Sequence, residues 1–315
     1  MVKTYIVEKI LSDNEIADNE GRYFTTDDIR ILIDGDADVY TSDGKLLLKL
    51  RKQLIPHNIC IDAVDAFRSF SKKRHANRGA AAGLLNRDKI PTYVGEYIKS
   101  GKFRTKFISN TSGIQSKQDI SNMSPSNIVG FYDRPNRNIK GMKSQCRLTA
   151  FNRDFPGLWE KALPFIYKCD QIFKTLVPFK YEKQKLRAEQ TKEFIIRGTS
   201  FSTVTLNYSW QTALHRDSGD YLDGFGNVVV LEDHDNVNTY TGGYTCFPQY
   251  GIGVNVRQGD FLAMDVHEWH CNTNLIADHD NVYGKWNKTQ IKNLWYLNRL
   301  SVVLYLRHNM LRCKK

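Results

Sequence analysis

The sequence predicts an α+β fold in which flanking helices precede a jelly-roll core of short antiparallel strands. Period-two runs bounded by Gly, Asp and Asn fill the last third of the chain, and helix-period runs come before them. The chain has 315 residues, 41% of them hydrophobic. This is enough to bury a real core, and it suits either one large domain or one domain with an N-terminal extension.

Short strands and turns come first in the chain. The runs YIVEKIL and IRILID are typical of strands, and residues 37–50 are typical of a hairpin that turns near Gly44. Residues 61–71 have apolar positions at helical spacing, which predicts a helix. The N-terminal extension is therefore expected to hold small β and α elements.

Two helices and the strands of the core follow. The run 155–178 spaces its apolar residues for a helix, and residues 180–192 continue as a charged helix. After Gly198 the pattern changes to period two, which predicts strands separated by turns. We therefore divide the chain into an extension with a basic loop (1–125) and a catalytic domain (126–315).

Composition limits the classes of function. The net charge is +11 and the pI about 9.2. A nucleic-acid partner fits this balance, and so does a basic enzyme with solvated lysines. The N-terminus has neither the pattern of a signal peptide nor that of a membrane span. The six cysteines form no CxxC pair, which indicates reduced thiols rather than a disulfide framework and predicts a soluble, cytoplasmic protein.

A candidate metal centre begins in the motif Ala-Leu-His-Arg-Asp. Residues two apart on a strand point to the same side, so His215 and Asp217 can bind one ion together. The segment GDFLAMDVHEWHCN offers a second histidine, and we expect His270 as the ligand and His267 as a supporting residue. Two imidazoles and a carboxylate form the facial triad of non-heme Fe(II) oxygenases, which leaves positions for 2-oxoglutarate and O2.

The order of the motifs is more specific than the His-x-Asp pair alone. The strand RLSVVLYL follows the second histidine, and its Arg299 is placed for a bidentate contact with the far carboxylate of 2-oxoglutarate. Ser301 lies on the same face by period two. Asn207, on the strand before the metal motif, could contact the same molecule, whereas Tyr208 better fits a core position.

The segments HRDSGD, GNVVVLE, GGYTCFPQYGIGVNVRQGDFLAMDVHEWHCN and RLSVVLYLRHNM resemble the TET/JBP family of nucleic-acid-modifying dioxygenases. The similarity is to its compact phage and bacterial members in particular, and it covers roughly residues 125–312. It implies a double-stranded β-helix, Fe(II), 2-oxoglutarate and O2. It also implies oxidation of the 5-methyl group of 5-methylcytosine or thymine in DNA. No structural zinc is expected, because the cysteine-rich region of animal TET proteins is missing from the sequence.

Such a reaction needs single-stranded DNA or a base flipped out of the duplex. The Gly/Ala-rich basic loop 72–89 could bind phosphates, although a flexible surface loop would have the same composition. The candidate phosphate-binding residues are Lys72, Lys73, Arg74 and Arg78. Further basic runs are KSGKFRTK and KYEKQKLR, the second being more typical of a solvated helix face. The aromatic residues that could stack on a base, or simply pack in the core, are Trp210, Tyr221, Phe225 and Trp269.

Two other classes of function remain open. An oxygenase of the same chemistry could act on a protein side chain or a small molecule, because prolyl-hydroxylase-like enzymes share the order His-x-Asp, His, Arg. A β-barrel module that binds nucleic acid without iron is the other alternative. The complete triad and Arg299 argue against this last class.

Overall fold

The structure is a computed structural model. It describes residues 1–75, 77–84, 122–133, 146–232, 240–277 and 299–313, with the backbone alone for 311 and 312. The strands in this part are β1 (Lys3–Val7), β2 (Ile31–Ile33), β3 (Ala37–Thr41), β4 (Leu46–Arg51), β5 (Ser126–Tyr132), β6 (Arg147–Leu148), β7 (Thr203–Tyr208), β8 (Gly226–Leu231), β9 (Tyr240–Gly242), β10 (Thr245–Phe247), β11 (Ile252–Val254), β12 (Phe261–Met264), β13 (Cys271–Asn272), β14 (Leu275–Ala277) and β15 (Leu300–Tyr305). The helices are α1 (Asp13–Ala17), α2 (His57–Ser71), α3 (Ala150–Asp154), α4 (Pro156–Leu176) and α5 (Pro178–Glu189).

From β7 onward the chain crosses several times between two sheets, and β9 and β14 pair as a separate two-stranded sheet. The larger sheet contains the order β12-β8-β15-β7, and the smaller sheet contains β13-β10-β11. The segment around His215 joins the smaller sheet through an antiparallel bridge to His270. A chain that crosses repeatedly between two facing sheets forms a double-stranded β-helix, so the predicted jelly-roll core is confirmed.

Alternate residues of the larger sheet face different layers. Val229 and Leu231 of β8 pack in the cluster that contains helices α2 and α4. Val228 and Val230 pack in the cluster shared with the smaller sheet. Because both faces of the larger sheet are covered, its strands have nearly continuous apolar sequences.

The N-terminal strands extend both sheets. Strand β4 pairs antiparallel with β12, and β3 and β1 follow outward from it. Strand β2 pairs parallel with β11 of the smaller sheet. The predicted hairpin is β3 and β4, joined by residues 42–45. The division of the chain at residue 125 stays a prediction.

The first predicted strand is shorter than expected. It ends at Val7, and the short helix α1 follows. Ser12 accepts a hydrogen bond from the backbone N–H of Glu15, and the Glu15 carboxylate accepts one from the backbone N–H of Ser12. This reciprocal capping box is encoded by the Ser-x-x-Glu pattern, which is the local signal for the helix.

The predicted helices are present as α2, α4 and α5, and α2 begins four residues earlier than expected, at His57. Pro178 lies in the first turn of α5, directly after the end of α4. Proline lacks an N–H group and restricts the residue before it, so it divides the apolar run into two helices. Within the described residues, no helix is both long enough and apolar enough to cross a membrane.

Cys146 and Cys313 form a disulfide bond, so the prediction of six reduced thiols is wrong for this pair. The two residues are 167 positions apart and meet in a small cluster with Met310. Tertiary packing brings them together, and their spacing in the sequence carries no signal for it. The other four cysteines are free and buried: Cys60, Cys169, Cys246 and Cys271.

Asp170 connects helix α4 to the segment before β7. Its Oδ1 accepts hydrogen bonds from the backbone N–H and the hydroxyl of Ser200, both at 2.7 Å, and its Oδ2 accepts one from the Tyr181 hydroxyl at 3.1 Å. We expect Asp170→Ala to lower the free energy of unfolding by about 3 kcal/mol, because buried donors lose their acceptor. Urea denaturation measures this loss. Asp170→Asn keeps an acceptor for Ser200 and should lose clearly less; equal losses would contradict the explanation.

Candidate metal centre and cavity

Three predicted ligands meet at one end of the β core. The candidate ligand atoms of His215, Asp217 and His270 all lie within 4.8 Å of one another. Nε2 of His215 lies 3.7 Å from Oδ1 of Asp217, and Nε2 of His270 lies 3.6 Å from Oδ2. This spacing allows one ion to contact all three side chains.

Backbone hydrogen bonds set this arrangement. His215 and His270 exchange reciprocal N–H···O bonds, each 3.0 Å long, so their rings lie side by side with centroids 4.4 Å apart. The backbone N–H of Asp217 donates to the carbonyl of Val266 at 3.0 Å. The ligand-bearing segments are thus joined directly, although more than fifty residues separate them in the sequence.

Both imidazole rings present Nε2 to the centre. Nδ1 of His215 lies 2.7 Å from the carbonyl oxygen of Ala213, and Nδ1 of His270 lies 2.9 Å from that of Glu268. Because a carbonyl can only accept, each Nδ1 donates and carries the proton of the neutral ring. Each Nε2 lone pair is then available to a metal, and two imidazoles with one carboxylate match the ligand chemistry of Fe(II).

In the metal-free centre the ionised Asp217 favours a proton on His270, which a bound cation would displace. Burial, reinforced by the charge of His270, lowers the pKa of His215 to about 4, so this ring is neutral at pH 7. Burial alone would raise the pKa of Asp217, but the hydrogen bond from His270 and the electrostatic interactions with the two imidazoles lower it. Burial opposes a rise in the pKa of His270, and its hydrogen bond to Asp217 outweighs that effect.

His267 lies outside this group. Its Nε2 is 3.3 Å from the carbonyl oxygen of Tyr221, and its backbone N–H donates to Asp265 at 3.0 Å. The structure therefore brings His270, and not His267, to the other two predicted ligands.

The metal centre lies in the wall of a cavity of about 600 Å³. The predicted 2-oxoglutarate contacts Asn207 and Ser301 both line this cavity, and the Ser126 hydroxyl donates to the side-chain oxygen of Asn207. Tyr208 instead packs in the core cluster that contains helices α2 and α4. Adjacent residues of a strand point to opposite faces, so Tyr208 points away from the cavity that Asn207 lines. Apolar side chains also line the cavity: Val228, Met264, Val266 and Val303.

Arg299 is held just before the strand that carries Ser301. Its side chain is buried, with Nε donating to the Tyr240 hydroxyl and a terminal nitrogen donating to the carbonyl of Gly243, both at 3.0 Å. Gly243 has φ +64°, and a Cβ there would lie 3.4 Å from the guanidinium. Three of the five N–H groups of Arg299 take no part in these two bonds. Its contact with 2-oxoglutarate stays a prediction.

A charged group in the cavity wall was not identified from the sequence. Nε of Arg307 donates to Asp133 at 2.8 Å, and Asp220 forms an isolated antiparallel bridge with Arg307. Burial and the charge of Asp217 raise the pKa of Asp220. Every second residue of β15, counted from Ser301, points to the same side, and Arg307 is the third residue when this count is continued past the strand. This alternation is the signal that could have identified Arg307.

The four predicted phosphate-binding residues differ in their surroundings. Arg78 lines the cavity, and its charge interacts with that of Asp217. The Lys72 ammonium lies 5.2 Å from the ring centroid of Tyr208. Lys73 and Arg74 are exposed.

The loop that carries Arg78 is tied to the metal centre. Gly79 and Ala80 line the cavity, and the carbonyl of Ala81 accepts the backbone N–H of Ala213 at 2.9 Å. The small side chains of the RGAAAG run thus permit a close approach to the metal-binding segment. The run KSGKFRTK lies outside the described residues.

Of the four aromatic residues near the motif, Trp210 lines the cavity. Trp269 is buried beneath the Arg216 guanidinium, which lies 4.4 Å from the ring. Phe225 packs in the core cluster of the helices, and Tyr221 packs beside another cluster. Trp210 is therefore the residue of this group that is placed to contact a ligand in the cavity.

A double-stranded β-helix with a His-Asp-His group at its end defines the class of 2-oxoglutarate- and Fe(II)-dependent oxygenase domains. The sequence profile of one family in that class, TET/JBP, described as the oxygenase domain of the 2OGFeDO superfamily, matches residues 127–308. The match covers more than half of the chain, and the chain belongs to the TET/JBP family. The resemblance found in the sequence is confirmed. This superfamily uses Fe(II), 2-oxoglutarate and O2.

Curated relatives include thymine dioxygenase JBP1 of Trypanosoma brucei brucei, 28% identical over 256 residues that cover 80% of this chain and 27% of the relative. The bifunctional helicase and thymine dioxygenase JBP2 of Leishmania tarentolae is 29% identical over 167 residues, which cover 52% of this chain and 14% of the relative. The chain thus spans about a quarter or less of the length of these relatives.

Solved structures show weaker similarity. A structure of NgTET1 in complex with 5mC DNA gives a TM-score of 0.40 at 12% identity, covering 95% of this chain and 92% of that chain. The structure of OsALKBH1 gives a TM-score of 0.37 at 12% identity, covering 82% of this chain and 96% of that chain.

Proposed function

We propose that the protein is an Fe(II)- and 2-oxoglutarate-dependent dioxygenase that hydroxylates the 5-methyl group of a pyrimidine base in DNA. The observation that carries the proposal is the meeting of His215, Asp217 and His270 in the wall of a cavity, in a chain of the TET/JBP family. Thymine is the favoured base because the curated relatives are thymine dioxygenases. The alternative base is 5-methylcytosine.

The three ligands would hold Fe(II), which together with 2-oxoglutarate supplies the activation of O2. Their own contribution is to present two imidazole Nε2 atoms and a carboxylate in an arrangement fixed by the Nδ1 hydrogen bonds to backbone carbonyls. Asn207 and Ser301 would contact 2-oxoglutarate from the cavity wall, and Arg299 would bind its far carboxylate.

The cavity suits a flipped base. Its volume of about 600 Å³ lies in the range of small-molecule sites. The apolar side chains Val228 and Met264 provide a dry surface for a methyl group, and Arg307 and Asp220 offer hydrogen-bonding groups to the polar edge of a pyrimidine. A base inside a duplex would not reach this cavity, so we propose single-stranded DNA or a flipped base as the substrate.

Lys72, Lys73 and Arg74 are exposed on the segment that leads to the cavity, and we propose that they contact DNA phosphates. Replacing all three with alanine should weaken DNA binding and reduce the slope of log K against log salt by up to about 3, because each lost contact removes about one released counterion. Fluorescence anisotropy across a range of salt concentrations measures the slope. Replacing Lys174, Lys183 and Lys192, which are exposed on the helical side, removes the same charge and should leave the slope nearly unchanged. A smaller slope in the control variant alone would contradict the assignment.

Succinate formation tests the substrate. The purified protein, with Fe(II), ascorbate and 2-oxoglutarate, is given three DNAs of one sequence, containing thymine, uracil in place of thymine, or uracil together with 5-methylcytosine. Stimulation by the thymine DNA alone is the expected result. Stimulation by the third DNA alone would assign 5-methylcytosine. Equal turnover with all three would contradict oxidation of a pyrimidine methyl group.

A further inference from the structure

The turn of residues 265–268, which follows β12, is held by a lysine from the N-terminal part of the chain. Lys45 lies in the hairpin between β3 and β4, and its ammonium is 2.8 Å from Oδ2 of Asp265 and 2.9 Å from Oε1 of Glu268. The Tyr250 hydroxyl donates to the other oxygen of Glu268 at 3.1 Å. One ammonium therefore joins the first and the last residue of the turn.

The same turn orients two of the three candidate ligands. The carbonyl of Glu268 accepts the hydrogen bond from Nδ1 of His270, and the carbonyl of Val266 accepts the backbone N–H of Asp217. A displacement of the turn would change the direction of Nε2 of His270 and the position of the Asp217 carboxylate together. The geometry of the metal centre thus depends on how firmly this turn is held.

We propose that Lys45 is a positioning residue of the metal centre, which acts by holding Asp265 and Glu268 in one arrangement. The proposal rests on the assignment of His215, Asp217 and His270 as metal ligands. The side chains of Asp265 and Glu268 are 5% and 19% exposed, so their negative charges are poorly screened by water. Without the ammonium the two carboxylates would repel each other, and the turn would relax. The charge of Lys180 also reaches Asp265 and offsets part of this repulsion.

Lys52 provides a matched control. It lies at the other end of the same hairpin, and its ammonium is 2.7 Å from Oδ2 of the buried Asp260 and 3.4 Å from Asp34. Asp260 directly precedes β12, and its carboxylate also accepts hydrogen bonds from the backbone N–H groups of Gln53 and Arg257, away from the 265–268 turn. Lys52→Met therefore removes a comparable ion pair between the N-terminal hairpin and the core, and leaves the contacts of the turn in place.

The test is a titration of the metal-free protein with Co(II), followed by its d–d absorption, for the wild type and for Lys45→Met, Lys45→Arg and Lys52→Met. Thermal unfolding of each metal-free variant is measured alongside. We expect Lys45→Met to weaken Co(II) binding about tenfold and to change the absorption spectrum, as substitutions behind metal ligands do. Lys45→Arg, which keeps the positive charge, should recover most of the affinity, and Lys52→Met should bind as the wild type does.

Unchanged affinity and spectrum in Lys45→Met would overturn the proposal. An equal loss in Lys45→Met and Lys52→Met would also overturn it, because the effect would then follow general stability. Failure of the wild type itself to bind Co(II) would overturn the metal centre, and with it the role of Lys45, so the two failures are distinguishable.

Discussion

Replacing His270 with alanine is expected to abolish hydroxylation, with a fall in kcat of at least about a thousandfold, or about 4 kcal/mol in the activation barrier. His270 supplies one of three ligand atoms that lie within 4.8 Å of one another, and alanine leaves two. The rate of succinate formation in the presence of DNA measures the effect.

His267→Ala is the matched control, because this histidine lies three residues away and contacts the carbonyl of Tyr221 instead of the metal centre. We expect this variant to stay within about threefold of the wild-type rate, a barrier change below about 1 kcal/mol. A larger loss in His267→Ala than in His270→Ala would show that the wrong histidine has been assigned to the metal.

The second large effect is expected at Arg299. Replacing it with methionine should raise the KM for 2-oxoglutarate about a hundredfold and leave kcat at saturating 2-oxoglutarate much less affected, since a charge-assisted contact to a carboxylate is lost. Steady-state kinetics with 2-oxoglutarate varied at fixed DNA gives both constants.

Arg307→Met is the comparison variant, because it removes a different guanidinium, one that lines the cavity. Arg307 lines the cavity beside Asp220 and pairs with Asp133. We expect this variant to change the KM for DNA more than that for 2-oxoglutarate. If the 2-oxoglutarate KM rises in Arg307→Met and not in Arg299→Met, Arg307 and not Arg299 binds the far carboxylate of the cosubstrate.

The fold of the core and the meeting of the three candidate ligands could be predicted because their signals are local. Period two distinguishes the strands, and the spacing of His215 and Asp217 places both on one side of an extended segment. Choosing His270 over His267 depended on which one follows the turn after β12. In the folded chain, His270 is the histidine that pairs with His215 through two reciprocal backbone hydrogen bonds.

Features that depend on distant pairing were not accessible in the same way. No window of sequence shows that β2 pairs with β11, or that Cys146 meets Cys313. Arg78 was grouped with the neighbouring basic residues, and no local signal shows that it lines the cavity while Lys73 and Arg74 are exposed. Lys45 has no local motif, because its partners lie more than two hundred residues further along the chain.

The most direct test of the central claim is mass spectrometry of nucleosides from thymine-containing DNA incubated with the protein, Fe(II), ascorbate and 2-oxoglutarate. Asp217→Ala serves as the control variant. The account predicts that thymidine gains the mass of one oxygen atom with the wild type and remains unchanged with Asp217→Ala. If thymidine and 5-methyldeoxycytidine both remain unchanged while the wild type still converts 2-oxoglutarate to succinate, the proposal of a DNA base as the substrate is contradicted.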